Sequence, residues 1–292
     1  MKPVARDPGG RVHLTVHRDP ASGAETVALA APLFEEDWQN EIATAAAQTV
    51  HATLARETSL EAAVALARNA MDATERLIGN LLTRAPAGAI ACKAGCDHCC
   101  YQSVGVTTPE ALAIYDHLSC TRSDDELVQL AARLADARAR TRGLSTAERF
   151  SPEHPCVFLE AGRCTIYEVR PLSCRGMNAL DADACATRLR DPATRAVFLA
   201  GGAGGQSFME PIRAFHAVSA GLQLGIAELY GLDMYPLDLI AAMDLLLNGP
   251  ESLPDAWIAG GTPFASARGS DGSEQPSLQT LSGRISRADP SP

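Results

Sequence analysis

Apolar and polar positions set two different periods in the first third of the chain. In residues 11–31, RVHLTVHRDPASGAETVALAA, Val12, Leu14 and Val16 alternate with polar neighbours, Asp19-Pro20 and Ser22-Gly23 punctuate, and Thr26 to Leu29 resumes a β-prone run. A period of two broken by turn formers predicts a small hairpin. From Phe34 to about Thr83 the composition shifts to Ala, Leu, Glu and Arg, with apolar side chains at Leu60, Val64, Ala67, Met71, Leu77 or Ile78, and Leu81. That is helical spacing, and Thr58 with Glu61 has the form of a capping box, so two amphipathic helices are expected.

Further on, Thr108-Pro109-Glu110 offers an N-cap, a first-turn proline and a first-turn acid, predicting a helix from Pro109 to about His117. Ser123 with Glu126 is a second capping box, opening a helix through Leu127, Leu130 and Leu134 that stops near Gly143. Cys156 to Leu159 and Cys164 to Tyr167 are β-prone runs around the turn Glu-Ala-Gly-Arg, which predicts a second hairpin with Cys156 close to Cys164. Pro211 to Tyr230 and Leu237 to Leu247 regain helical spacing, with Gly249-Pro250 as a stop. Residues 261–292, rich in Gly, Ser and Pro, hold few apolar groups to offset chain entropy.

The expected fold is therefore mainly α, with helices packed around an irregular cysteine-rich metal-binding core and a short β-hairpin. Nothing alternates strand with helix in the βαβ manner. The divisions are an N-terminal tail or hairpin (1–31), N-terminal helices (32–87), a cysteine-cluster domain (88–190), C-terminal helices (191–260) and a disordered tail (261–292).

Charge narrows the partners. The 292 residues carry a formal net charge of −10 at pH 7, which argues against bulk nucleic-acid binding through phosphate contacts. No run approaches the roughly 18 consecutive apolar residues of a membrane span, and the start MKPVARDPGGRVHL lacks the apolar stretch of a signal peptide. The chain is expected to be cytoplasmic, where clustered thiols are more often metal ligands or redox groups than disulfides.

All nine cysteines fall between Cys92 and Cys185. Cys92-Lys-Ala-Gly-Cys96-Asp-His-Cys99-Cys100 puts four thiols in nine residues, with Gly95 free to adopt the positive φ of a metal knuckle. Cys156, Cys164 and Cys174 add three more, and Cys185 follows eleven residues later. Four plus four fits two tetrahedral thiolate sites or one polynuclear centre, holding zinc or iron, an iron–sulfur cluster of the 4Fe–4S type included. A disulfide relay or redox-sensing thiols are the competing reading. Cys120 has no thiol neighbour and reads as a small buried apolar side chain. Neighbouring side chains tend to point apart, so Cys99 and Cys100 are expected to serve different metals or a bridging position.

CKAGCDHCC followed by PCVFLEAGRCTIYEVRPLSCRG resembles the YkgJ-type cysteine-cluster proteins, the zinc- or iron-chelating domain written CxxCxxCC. The second half matches position by position; in the first, three residues instead of two separate Cys92 from Cys96. The resemblance implies a bound zinc, iron or iron–sulfur centre without a single settled reaction, and a flagellin lysine methylase is grouped with the family.

Other candidates are weaker. Arg170 and Arg175 flank Cys174 and would offset thiolate charge, hold an anionic substrate, or pair with Asp181 or Asp183. Tyr167 reads as packing. His98 and His154 could replace a sulfur, although a supporting hydrogen bond or simple solvation is the commoner role, and Asp97 reads as a turn former. Gly201 to Gly205 lacks the residues of a phosphate loop and reads as a linker. The function expected is a metal-binding protein. The alternatives are a modifying enzyme, such as a protein methylase or redox enzyme, with a pocket roofed by 211–247 and lined by Arg170 and Arg175, or a metal storage or delivery protein.

Overall fold

The computed structural model describes residues 14–18, 25–29, 32–85, 87–93, 95–199, 207–230 and 236–268. The glycine run at 201–205 and residues 269–292 lie outside them.

The alternating N-terminal segment forms an antiparallel hairpin of β1 (Leu14–Arg18) and β2 (Glu25–Leu29), with Leu14 opposite Leu29. Two long helices follow, α1 (Asp37–Leu54) and α2 (Leu60–Leu82). The cap of α2 is Ser59, whose Oγ accepts the Ala62 N–H at 3.1 Å. Thr58, the expected cap, stands one residue ahead of it, and its hydroxyl donates to the carbonyl of Leu54, the last residue of α1, at 2.9 Å. A strand β3 (Gly105–Val106) leads into α3 (Thr108–Thr121) and α4 (Asp124–Thr141). Here too the cap lies one residue from its expected place: Thr107 and Glu110 form a reciprocal capping box, since only Thr107 has a glutamate three residues on.

A one-turn helix α5 (Thr146–Arg149) precedes the second hairpin, β4 (Leu159–Glu160) and β5 (Arg163–Cys164). Its turn is two residues, not four: Ala161 (φ 49°) and Gly162 (φ 73°) both lie in the left-handed region, as the tightest hairpin connection requires. Leu159 therefore stands opposite Cys164, and Cys156 lies ahead of the strand instead of across from its partner. Short helices α6 (Leu172–Gly176), α7 (Ala182–Arg190) and α8 (Pro192–Leu199) follow, then α9 (Met209–Tyr230), β6 (Leu237–Asp238), α10 (Leu239–Asn248) and α11 (Leu253–Ile258). β3 pairs with β6, tying the segment behind the first cysteine block to the start of α10.

The core joins α1, α2, α3, α4, α9 and α10. α9 presses closest on α1: a Cβ on Gly221 would stand 2.1 Å from the Ala43 carbonyl oxygen, and one on Gly225 would stand 2.8 Å from the Val50 Cβ. Small residues at this spacing let two backbones approach, which fixes α9 as one wall of the site described below. Residues 261–268 depart from the structureless tail expected there, since Phe264 and Ala267 are buried in the core and Arg268 bridges to Leu237. No helix of the described residues is long and apolar enough to cross a membrane.

Candidate metal centre

The first cysteine block is an irregular loop held by its own backbone. Ala91 N–H donates to the Ala179 carbonyl at 2.8 Å, and Ala179 N–H donates to Cys92 Sγ at 3.2 Å. Gly95 (φ 85°) allows the chain to turn so that Cys96 N–H reaches the Lys93 carbonyl at 3.0 Å. A single 3-10 turn, His98–Tyr101, then carries Cys99 and Cys100. Their thiols share a hydrogen bond, against the expectation that they point apart. Successive side chains differ by about 120° in a helix of three residues per turn, well short of the opposition found in a strand.

The second block is joined to the first through the main chain: Cys156 N–H donates to the Cys100 carbonyl at 2.7 Å. Cys164 ends β5 and Cys174 lies in α6, behind Pro171. The α6 backbone is tethered by Leu172 N–H, which donates to Glu110 Oε1 at 2.8 Å. Cys185 is buried on α7, whose N-terminus Asp181 caps, and Arg188 Nη2 lies 3.3 Å from its sulfur.

The electrostatics divide the thiols into two neighbourhoods that share Cys99. Burial pushes the Cys92 thiol up, and Cys96, Cys99 and Cys185 add to the rise. Cys185 is raised by burial, with Cys96 and Cys99 adding to it and Arg188 opposing. Cys174 is raised well above the usual thiol value by burial and then by Cys156, Cys99 and Cys164. Burial raises Cys164 with Arg170 opposing, and pushes Cys156 up to about 11. Cys99 is raised first by its bond to Cys100 and then by burial. Such thiols stay protonated near neutrality until a cation replaces their protons. Among the described residues no three His, Cys, Asp or Glu side chains are grouped so as to hold a metal ion.

Seven of the eight clustered thiols, all but that of Cys185, line one cavity of about 1040 Å³. The surface that Cys99 exposes is thus cavity wall. Arg170 also lines it, half-buried, with its Nε lacking a hydrogen-bond partner among the described residues and its guanidinium 4.2 Å from the centre of the exposed Tyr167 ring. Arg175 does not reach the cavity. It is buried against Glu75 (2.7 Å), the Glu168 carbonyl (2.6 Å) and the Arg170 carbonyl (3.0 Å). The ion pair expected with Asp181 or Asp183 is therefore made with Glu75 of α2, which also takes Arg170 at 3.3 Å.

His98 lies 3.6 Å from Asp97, and the buried His154 Nδ1 has no partner among the described residues. Cys120, read as a buried apolar side chain, is exposed on the last turn of α3.

Sequence reasoning passed over the opposite wall. His216, Ser219 and Gln223 of α9 line the cavity. Their spacing, i, i+3 and i+7, makes a polar stripe on an otherwise apolar helix, and that was a readable signal. Burial lowers the His216 pKa, the ring lining the cavity with the Phe215 ring centre 4.2 Å away. Leu239 of α10 completes that side, close to the roof expected over 211–247.

Fold and site together define a mainly helical protein built around a cysteine-rich cavity. Residues 91–190 match the family model CxxCxxCC, described as "Putative zinc- or iron-chelating domain". No match is found among curated proteins or among solved structures.

Proposed function

We propose that this chain binds zinc or iron through Cys92, Cys96, Cys99, Cys100, Cys156, Cys164, Cys174 and Cys185. The observation that carries the reading is that seven thiols from two separate segments line one cavity, and that Cys185 lies near enough to Cys96 and Cys99 for them to raise its thiol. The donor set fits the metals, since thiolates suit zinc and iron–sulfur centres alike. The unpartnered Nε of Arg170 fits as well: it is a donor beside Cys99 and Cys164, suited to the sulfur of a negatively charged centre. Cys92, Cys96 and Cys185 form one neighbourhood and Cys156, Cys164 and Cys174 the other, with Cys99 and Cys100 between them. This supports two four-thiolate sites or one polynuclear centre, a 4Fe–4S cluster among the options.

Zinc held by four thiolates would be structural, having no open position for water. Iron and sulfide would supply electron transfer or substrate activation. The cavity favours a second reading, in which the centre acts on a molecule bound beside it, as in a modifying enzyme. Anaerobic purification followed by elemental analysis and a visible spectrum tests the metal reading. Stoichiometric iron with sulfide and a charge-transfer band selects the cluster, colourless stoichiometric zinc selects the structural site, and a folded metal-free sample that takes up neither metal overturns the proposal.

A further inference from the structure

The cavity has a composition of its own, apart from its thiols. Four of the chain's seven phenylalanines, Phe34, Phe150, Phe198 and Phe215, contribute to its lining. Phe150 and Phe198 meet edge to face at 6.3 Å. A volume of about 1040 Å³ stands at the upper end of the roughly 300–1,000 Å³ typical of small-molecule sites, which are likewise mostly apolar with a few convergent polar groups.

Its charge runs against that of the protein. The chain carries −10, yet the lining includes Lys93, Arg163 and Arg170, the last shared with Glu75 at 3.3 Å, against one carboxylate, Glu110. Both Glu110 oxygens are already engaged, by the N–H groups of Thr107 and Leu172, each at 2.8 Å. All three cations come from the cysteine-rich segment, and Lys93 and Arg163 are exposed. The facing wall offers neutral hydrogen-bonding groups at Ser219 and Gln223.

We propose that this cavity binds a small organic carboxylate with an apolar ring or chain as its body. The cations take the carboxylate, the phenylalanines take the body, and Ser219 and Gln223 are the hydrogen-bond partners on α9. This goes beyond the metal reading; with a thiolate centre in place, the cations must answer its negative charge as well as the carboxylate.

Calorimetry on the chain as purified, with metal content measured on the same sample, tests the proposal. The probes are naphthalene-2-carboxylate and its neutral counterpart 2-naphthalenemethanol. The carboxylate is expected to bind about tenfold more tightly than the alcohol. Lys93→Gln combined with Arg163→Gln, both at exposed positions, brings the two to near parity with metal content unchanged. Ser219→Trp fills the space and weakens both probes by about tenfold; should it fail to fold, the surface double variant decides. Absence of binding, equal affinity for the two probes, or a double variant that loses metal together with its anion preference would overturn the proposal. A metal-free sample that still prefers the carboxylate and takes up neither zinc nor iron overturns the metal reading alone.

Discussion

Cys156 N–H donates to the Cys100 carbonyl at 2.7 Å, so the two thiol-bearing segments are joined through their backbones without the help of a metal. That link, the β4–β5 pairing at Cys164 and the tether of Leu172 to Glu110 fix three thiol positions in advance. Positions fixed by the fold make loss of a ligand costly for metal and fold together. Replacing Cys164 or Cys174 by Ser is expected to abolish metal retention and lower Tm sharply, since structural zinc contributes on the order of 10 kcal/mol in zinc-finger peptides. Cys120→Ser, at an exposed helix end, should change stability by less than about 0.5 kcal/mol and leave metal content intact. The reverse pattern would place the centre elsewhere.

The raised thiols make metal uptake a proton-releasing event. Burial holds Cys92, Cys156, Cys164, Cys174 and Cys185 protonated well past neutrality. Each site that takes Zn(II) at pH 7 should therefore release about four protons, one per thiol engaged, and affinity should fall steeply as pH drops. Titration of the apoprotein in weak buffer with a pH indicator counts them. About four protons at saturation means one site and about eight means two, whereas release of one or none excludes thiolate ligation.

The α1–α9 contact can be tested with two glycines of opposite expectation. A Cβ on Gly221 meets the Ala43 carbonyl oxygen at 2.1 Å, a backbone atom that moves only with its helix. Gly221→Ala should destabilise by about 1–3 kcal/mol through overpacking. Gly79, on the exposed face of α2, has no atom within 4 Å of its Cβ position. Gly79→Ala should stabilise by about 0.5–1 kcal/mol through helix propensity. Paired denaturant melts check both signs, and a Gly221→Ala variant as stable as the parent or more so would show that α1 and α9 do not pack this closely.

What the sequence made legible follows the range of the interactions. Helix periods, capping boxes and the cysteine spacing are local, and they located the long helices, whereas the short helices α5 to α8 and α11 carry too few periods to show and were not expected. The errors at Thr58 and Thr108 are single-residue errors: the caps are Ser59 and Thr107, and in the second case only Thr107 has a glutamate at the right offset. The partner of Arg175 was unreadable because Glu75 lies a hundred residues earlier, brought near only by α2 packing on α6. The cavity was equally hidden: its thiols were obvious in sequence, but the stripe of His216, Ser219 and Gln223 acquires meaning only once α9 is known to face them.

Glu110 is a buried carboxylate that links a helix cap to a thiol-bearing helix. Oε2 accepts the Thr107 N–H that starts α3, and Oε1 accepts the Leu172 N–H that starts α6, where Cys174 lies. Burial raises its pKa, against the hydrogen bonds from Leu172 and Thr107 and the charge of Arg175 that favour the ionised form. A folded-state pKa above the unfolded value gives a contribution that is full below the unfolded pKa and is lost as pH rises through the folded one. Wild-type stability should therefore carry a component that declines from about pH 4.5 upward, and Glu110→Gln, which cannot titrate, should lack it. The glutamine also offers one acceptor where two N–H groups need partners, so at pH 5 the variant should be less stable by about 2 kcal/mol, the typical penalty for an unmet buried donor. The gap should then narrow as pH climbs. Tm of both proteins measured between pH 4 and 8 decides the point: a gap that widens with pH would mean that the ionised carboxylate is the form the fold prefers.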